Sequence, residues 1–166
     1  MVSTSRCLEL LHMDLFGPSA IQSYGGNFYT LVIVDDYSRY TWTKFLKSKN
    51  EAFEQFEILS KKIQNQSGNC IVSIRTDHGR EFDNEIQFGE FCNKNGITHN
   101  FTAPRTSQSN GVVERKNWTL QEMSRKMLNE QNIPQNFWCN AVDTSTYILN
   151  RVLIRPFLDK ANIRIL

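Results

Sequence analysis

The sequence predicts an α/β fold in which a mixed five-stranded sheet is flanked by helices. Two observations carry that prediction. Segments whose apolar residues alternate with period 2 come first, and then alternate with segments of period 3.6, in the order β-β-β-α-β-α-β-α-α. The first three strands, the last two of them joined by a tight polar turn, suggest an antiparallel meander, whereas the later ones are reached through β-α-β units, which imply a right-handed crossover. A chain of 166 residues, 40% of them hydrophobic, fits a single domain, residues 1–166, with a sizeable core.

In chain order, "LELLHMDLFG" sets Leu11, Met13 and Leu15 on one face of a strand and His12 and Asp14 on the other, and Gly17-Pro18 ends it. "NFYTLVIVDDYSRYTWTKFLKS" reads as two strands rich in β-branched and aromatic residues, joined by a tight polar turn from Asp35 to Arg39. The period then changes. Ser48 and Glu51 fit a capping box, and Ala52, Phe56, Leu59 and Ile63 recur on one helical face as far as "NQSGN". "CIVSIRTD" is a short strand ending in an acid, followed by the polar "HGREFDN". "EIQFGEFCNKNG" is read as a helix through Phe88, Phe91 and Cys92, with Gly96 as its stop, although Gly89 is an unfavourable interior residue. "ITHNFTA" is the last strand. Val113, Leu120, Met123 and Met127 mark a long helix to about Gln131, and Pro134 opens a final helix whose inner face is Trp138, Ala141, Val142, Ser145, Ile148 and Leu149.

Composition excludes several classes. A net charge of +2 is too small to name a nucleic-acid partner, so any basic surface must come from local clustering. Cys7, Cys70, Cys92 and Cys139 are scattered, with no CxxC and no nearby His pair, which argues against a disulfide framework or a zinc site and for reduced, mostly buried thiols. No apolar run approaches the roughly 20 residues of a membrane span, and "MVSTSRCLELLH" has no signal-peptide pattern. The expectation is a soluble intracellular protein without a membrane partner.

Three acids stand out by position. Asp14 lies on the first strand, Asp77 at the end of the fourth, and Glu114 near the start of the long helix. Each alone is ordinary: strand ends often carry solvated acids, and a carboxylate early in a helix answers the positive end of its dipole. If the first and fourth strands are neighbours, however, their acids converge beside the sheet and a helix packed there supplies the third. Such a cluster repels itself unless cations neutralise it, and Mg2+ suits it, since this hard ion takes oxygen ligands and keeps open positions for water and phosphate. Asp35 and Asp36 are assigned to the hairpin turn, His12 to packing near the site, and His78 to the loop rather than to metal.

The run of "LELLHMDLFGPS", "YTLVIVDDYSRYTW", "IRTDHGREF", "GITHNFTAPRTSQSNGVVERKNWTLQEM" and "YILNRVLIRP" resembles the integrase catalytic core of copia-type long-terminal-repeat retrotransposons, over nearly the entire chain. The resemblance implies the ribonuclease-H-like fold and a D,D,E triad at Asp14, Asp77 and Glu114. It implies two Mg2+ ions, with Mn2+ as a substitute, and phosphoryl transfer on DNA: trimming of element ends and their joining to target DNA. It also implies self-association and a nuclear site of action. Pro104 to Gly111 resembles the family's flexible active-site loop. Candidate DNA contacts are Arg105 and Asn110 in that loop, Arg115 and Lys116, and Asn117, Trp118 and Gln121, which share the helix face of Glu114. Trp118 stands where the family usually carries a basic residue, and packing and base contact are equally open to it. Thirty-six residues separate Asp77 from Glu114, one more than the family's usual spacing, and the expected place for the extra residue is between Asp83 and Gly89. No zinc-binding region precedes the first acid and the chain stops soon after "RVLIRPFL", so an isolated, C-terminally truncated core is expected. Two rival readings are a ribonuclease-H-like nuclease or transposase, and a catalytically silent remnant that at most binds nucleic acid.

Overall fold

The structure, a computed structural model, describes residues 4–76, 85–101 and 111–152. It contains β1 (Leu10–Phe16), β2 (Tyr29–Asp35), β3 (Thr41–Leu46), α1 (Ala52–Ser67), β4 (Ser73–Thr76), α2 (Glu85–Asn95), β5 (Thr98–Phe101), α3 (Gly111–Glu130) and α4 (Trp138–Val152). The order of the sheet is β3-β2-β1-β4-β5. β1, β2 and β3 pair antiparallel, β2 and β3 through a tight turn, while β1 with β4 and β4 with β5 pair parallel across helical crossovers. The first and fourth strands are therefore neighbours, with Met13 opposite Thr76.

Alternation along the strands divides the core into two layers. Leu11, Met13, Leu15, Leu31, Ile33 and Ile74 face α1 and α2, where Phe56, Leu59, Ile63, Phe88 and Cys92 cover them. On the opposite face Val32 and Val34 meet Val113, Leu120 and Leu149 of α3 and α4, and Leu128, Trp138, Ala141 and Val142 close the layer farther along. Each Val, Leu, Ile, Phe or Met side chain among them contributes about 1.5–3 kcal/mol on removal from water. The final helix buries Trp138, Ala141, Val142, Ser145 and Leu149 as expected, and Thr146 as well, whereas Ile148, also expected on the inner face, is only half-buried.

Element ends differ from the sequence reading where side chains divert the backbone. Leu8 has φ 65° and gives its N–H to Asp35 Oδ1 at 2.8 Å, so β1 starts at Leu10. Ile71 gives its N–H to Gln64 Oε1 at 2.9 Å, so β4 starts at Ser73 rather than at Cys70. Ser48 and Glu51 do act at the start of α1, but through a 3-10 turn: Ser48 Oγ accepts the Asn50 N–H and Glu51 Oε2 accepts that of Lys47, at 2.9 Å. Gly17 is required at the end of β1, because at φ 130° a Cβ would stand 2.7 Å from the Phe28 carbonyl oxygen. Only Cys92 of the four free thiols is buried, whereas Cys70 is exposed, which corrects the expectation of mostly buried cysteines: Cys70 lies before the strand, outside the core it was expected to join. Among the described residues no helix is long and apolar enough to cross a membrane.

Candidate active site

The site is built where α3 crosses β1. Even-numbered residues of β1 face the layer of α3 and α4, so His12, Asp14 and Phe16 share that side while Leu11, Met13 and Leu15 enter the opposite core. Asp14 is half-buried, and both of its oxygens are engaged: Oδ1 accepts the Leu15 N–H at 2.9 Å and Oδ2 accepts Asn117 Nδ2 at 2.6 Å. The second bond spans 103 residues and ties α3 to the strand. Glu114 lies one turn earlier on the helix and is exposed. β4 ends at Thr76, opposite Met13. Asp77, the next residue, lies outside the described residues, as do His78, Arg105 and Asn110 and the proposed site of the extra residue up to Asn84.

Asn117 was expected on the DNA-facing side of the helix. It is 5% exposed instead, with its amide turned onto Asp14, because the α3 stripe that meets the sheet runs through Val113, Asn117, Leu120, Ser124 and Leu128. Trp118, by contrast, is 70% exposed and takes no part in the core. Arg115 is exposed, Gln121 is half-buried with its Oε1 3.4 Å from Arg125, and Lys116 is half-buried. Burial, and then the charge of Arg39, lower the Lys116 pKa.

The hairpin acids are structural, as expected. Asp35 is fully buried and accepts from the N–H groups of Leu8 and Ser38 and from the Ser38 hydroxyl, at 2.8, 2.8 and 2.6 Å. Asp36 meets His12 Nε2 at 2.9 Å, the Thr4 hydroxyl at 2.8 Å and Arg39 at 3.5 Å. Burial opposes its ionisation, but the hydrogen bonds from His12 and Thr4 and the charges of Arg39 and His12 outweigh burial and leave its carboxyl below the ordinary value. The sequence contained no signal for this pair, whose members lie 24 residues apart.

The donor chemistry suits a hard cation. Beside the Asp14 carboxylate, Asn117 Oδ1 is buried and has no hydrogen-bond partner among the described residues, the state of an oxygen that a cation or its bound water would satisfy. With Nδ2 turned toward Asp14 the amide orientation follows from the carboxylate, which only accepts. Among the described residues, no three His, Cys, Asp or Glu side chains cluster as a metal site.

Residues 5–107 match a family model described as the integrase core domain. The chain is 39% identical over 87% of its length to the retrovirus-related Pol polyprotein from transposon TNT 1-94 of Nicotiana tabacum, of which it covers 11%. It is 30% identical over 91% of its length to the corresponding polyprotein from transposon RE1 of Arabidopsis thaliana, of which it covers 10%. The chain thus spans about a tenth of the length of the curated relatives it matches. Among solved structures, the HTLV-2 integrase catalytic core domain in complex with magnesium, in its dimeric form, aligns with a TM-score of 0.61 at 22% identity, covering 88% of each chain. A chain of the simian T-cell lymphotropic virus intasome in complex with a PP2A regulatory subunit aligns with a TM-score of 0.65 at 21% identity, covering 87% of this chain and 49% of that one. These likenesses establish the ribonuclease-H-like fold of retroviral integrase cores.

Proposed function

The chain belongs to the integrase core family, and on that premise we propose that it carries out metal-dependent phosphoryl transfer on DNA, trimming element ends and joining them to a target strand. The observation that carries the reading is the Asn117–Asp14 hydrogen bond of 2.6 Å, which docks the first turns of α3 on the strand that holds the first acid. Glu114 then stands one turn before that anchor, and β4 ends beside Met13 one residue short of Asp77. Asp14, Asp77 and Glu114 are the proposed metal ligands. The chemistry that a bound pair of Mg2+ ions, or Mn2+ in their place, supplies is Lewis-acid stabilisation of the attacking and leaving oxygens in an in-line displacement.

The chain's own residues do the positioning. The Leu15 N–H and the Asn117 amide hold the Asp14 carboxylate in one rotamer, which removes an ordering cost from ligand binding. Exposed Arg115 and half-buried Lys116 are proposed phosphate contacts, as are Arg105 and Asn110 in the segment that precedes α3, and exposed Trp118 offers a ring on which a base can stack. Gln121 completes that face, and Asn117 acts through Asp14. The HTLV-2 core is described in dimeric and trimeric forms, and self-association is proposed for this chain on that basis.

The test is a strand-transfer assay with the purified chain, a preassembled DNA substrate and Mg2+ or Mn2+. Transfer to a DNA 3′-hydroxyl, abolished in Asp14→Asn, Asp77→Asn and Glu114→Gln, is the expected result. Hydrolysis without transfer would favour a nuclease, and activity that survives Glu114→Gln would refute the ligand set. A folded chain inert with either metal would favour the silent remnant.

A further inference from the structure

On the side of the sheet that carries Asp14, the strands are covered unevenly. The layer of α3 and α4 takes in side chains of β1, β2 and β3, such as Phe16, Val32, Val34 and Phe45, and none of β4 or β5 among the described residues. Strand pairing gives the reason. Ile74 and Thr76 of β4 turn to the opposite side, where Ile74 joins the core under α1 and α2 and Thr76 Oγ1 meets His99 Nε2 at 2.8 Å. Alternation then places Ser73 and Arg75, with their β5 partners Thr98 and Asn100, on the side of Asp14. All four are polar, and Thr98 and Asn100 are exposed. A helix packed there would need apolar side chains beneath it, so β4 and β5 form a polar platform beside the helical layer.

Arg75 has a defined place on that platform. It pairs with His12 on one side and with Asn100 on the other. Asp14 stands two residues beyond His12 on the same face, about 6.6 Å along the strand. Asp77 follows Arg75 by two residues in sequence. Arg75 is half-buried, and it is the one permanent charge in the paired rows Leu10, Ser73, Thr98 and His12, Arg75, Asn100.

We propose that this platform is the track of the substrate strand as it leaves the acids, with Arg75 contacting the phosphate next to the reacting one and the Asn100 amide donating to the same backbone. The inference rests on the reading of Asp14 as part of a phosphoryl-transfer site. A DNA strand that brings one phosphate to the acids carries further phosphates to either side of it. α3 closes one flank of Asp14 through Asn117, and the platform continues from the other. A guanidinium suits the task, because its planar fork matches two phosphate oxygens, and such a backbone contact asks for no particular base.

The experiment is a fluorescence-anisotropy titration of the full chain, in Mg2+, with a labelled duplex that ends in a short single-stranded 3′ overhang, repeated from about 50 to 200 mM salt. Arg75→Gln is expected to weaken binding about tenfold at the lowest salt and to make the plot of log K against log salt shallower by about 0.7–0.9, the contribution of one phosphate contact. Arg75→Lys should keep the slope. Lys94→Gln removes an exposed charge from α2, across the sheet, and should keep both slope and affinity. Circular dichroism checks the fold of each variant. Asn100→Asp, which sets a negative charge at an exposed position beside Arg75, serves should Arg75→Gln not fold, and is expected to weaken binding about tenfold as well. An unchanged slope in folded Arg75→Gln, or unchanged binding by Asn100→Asp, would overturn the proposal. So would an equal loss in Lys94→Gln, which would leave only general charge. A raised Mg2+ requirement in Arg75→Gln with no change of slope would assign Arg75 to holding the acids and overturn the track. Failure of the phosphoryl-transfer reading is seen separately, as DNA that binds with the Arg75-dependent slope and is neither cut nor joined.

Discussion

Asp36 shows how a residue read as a turn former also stabilises the fold. Its carboxylate joins the N-terminal Thr4, the buried His12 of β1 and Arg39 of the hairpin. Its folded pKa is depressed, so the stability it contributes is present above the unfolded carboxyl value of about 4 and is lost as pH falls through the folded value. Asp36→Ala is expected to cost about 2 kcal/mol at pH 7, from charge-assisted hydrogen bonds, with the difference from the parent shrinking under acid. Urea denaturation at pH 7 and at successively lower pH measures it, and a penalty that grows on acidification would contradict the assignment. The thiols offer a second residue-scale test. Burial pushes Cys92 up to about 11, whereas Cys70 is exposed. A disulfide reagent at pH 8 should modify Cys70 fast and leave Cys92 until the chain unfolds, and Cys70→Ser should remove the fast phase.

At the scale of elements, α3 has two tasks on two sides. Its buried stripe anchors the helix on β1 and β2, and its exposed side carries Glu114, Arg115 and Trp118. Leu120 is fully buried in the layer of Val32, Val34 and Leu149, three residues after the Asn117 that meets Asp14. Leu120→Ala should therefore lose about 3 kcal/mol by cavity formation, measured by denaturant unfolding. Lys126→Ala, at an exposed i,i+4 pair with Glu122, should change stability by no more than about 0.5 kcal/mol. Equal effects of the two would mean that the helix is not docked as described. The hairpin from β2 to β3 also has a defined mechanism: Asp35 gives its N–H to the Tyr40 carbonyl and takes the Arg39 N–H, with Arg39 at φ 62°. That bulge sets the parity by which Thr41 turns outward to Asn150.

At the scale of the whole molecule, one sheet serves both layers, so neither can be lost without uncovering the other face of the same strands. Trp42 packs against the layer of α1 and α2, and Trp138 belongs to that of α3 and α4. We expect one cooperative transition in urea. Tryptophan fluorescence from the Trp42→Phe/Trp118→Phe and Trp118→Phe/Trp138→Phe variants, which report the two layers separately, should have the same midpoint as far-ultraviolet circular dichroism. Separated midpoints would show that the layers unfold independently.

Features that depend on near neighbours along the chain were legible without the fold. Period-2 and period-3.6 patterns located five strands and four helices, Gly68 and Gly96 ended α1 and α2 with left-handed conformations, and the helix around Glu114 could be assigned a polar side. The motif resemblance is what groups Asp14, Asp77 and Glu114 as one proposed site. Which polar side chains face each other across long separations is set by the folding of the sheet and not by any local pattern. The helical repeat put Asn117, Trp118 and Gln121 on a common side of α3, but Asn117 is buried against Asp14 while Trp118 is exposed. Periodicity gives an angle around an axis and not the position of the strand that the axis crosses. The same limit hid the His12–Asp36 pair and the Asn150 cap on Thr41, 109 residues apart, since a hydrogen bond between distant residues leaves no repeat in the sequence and exists only once the sheet has brought its partners together.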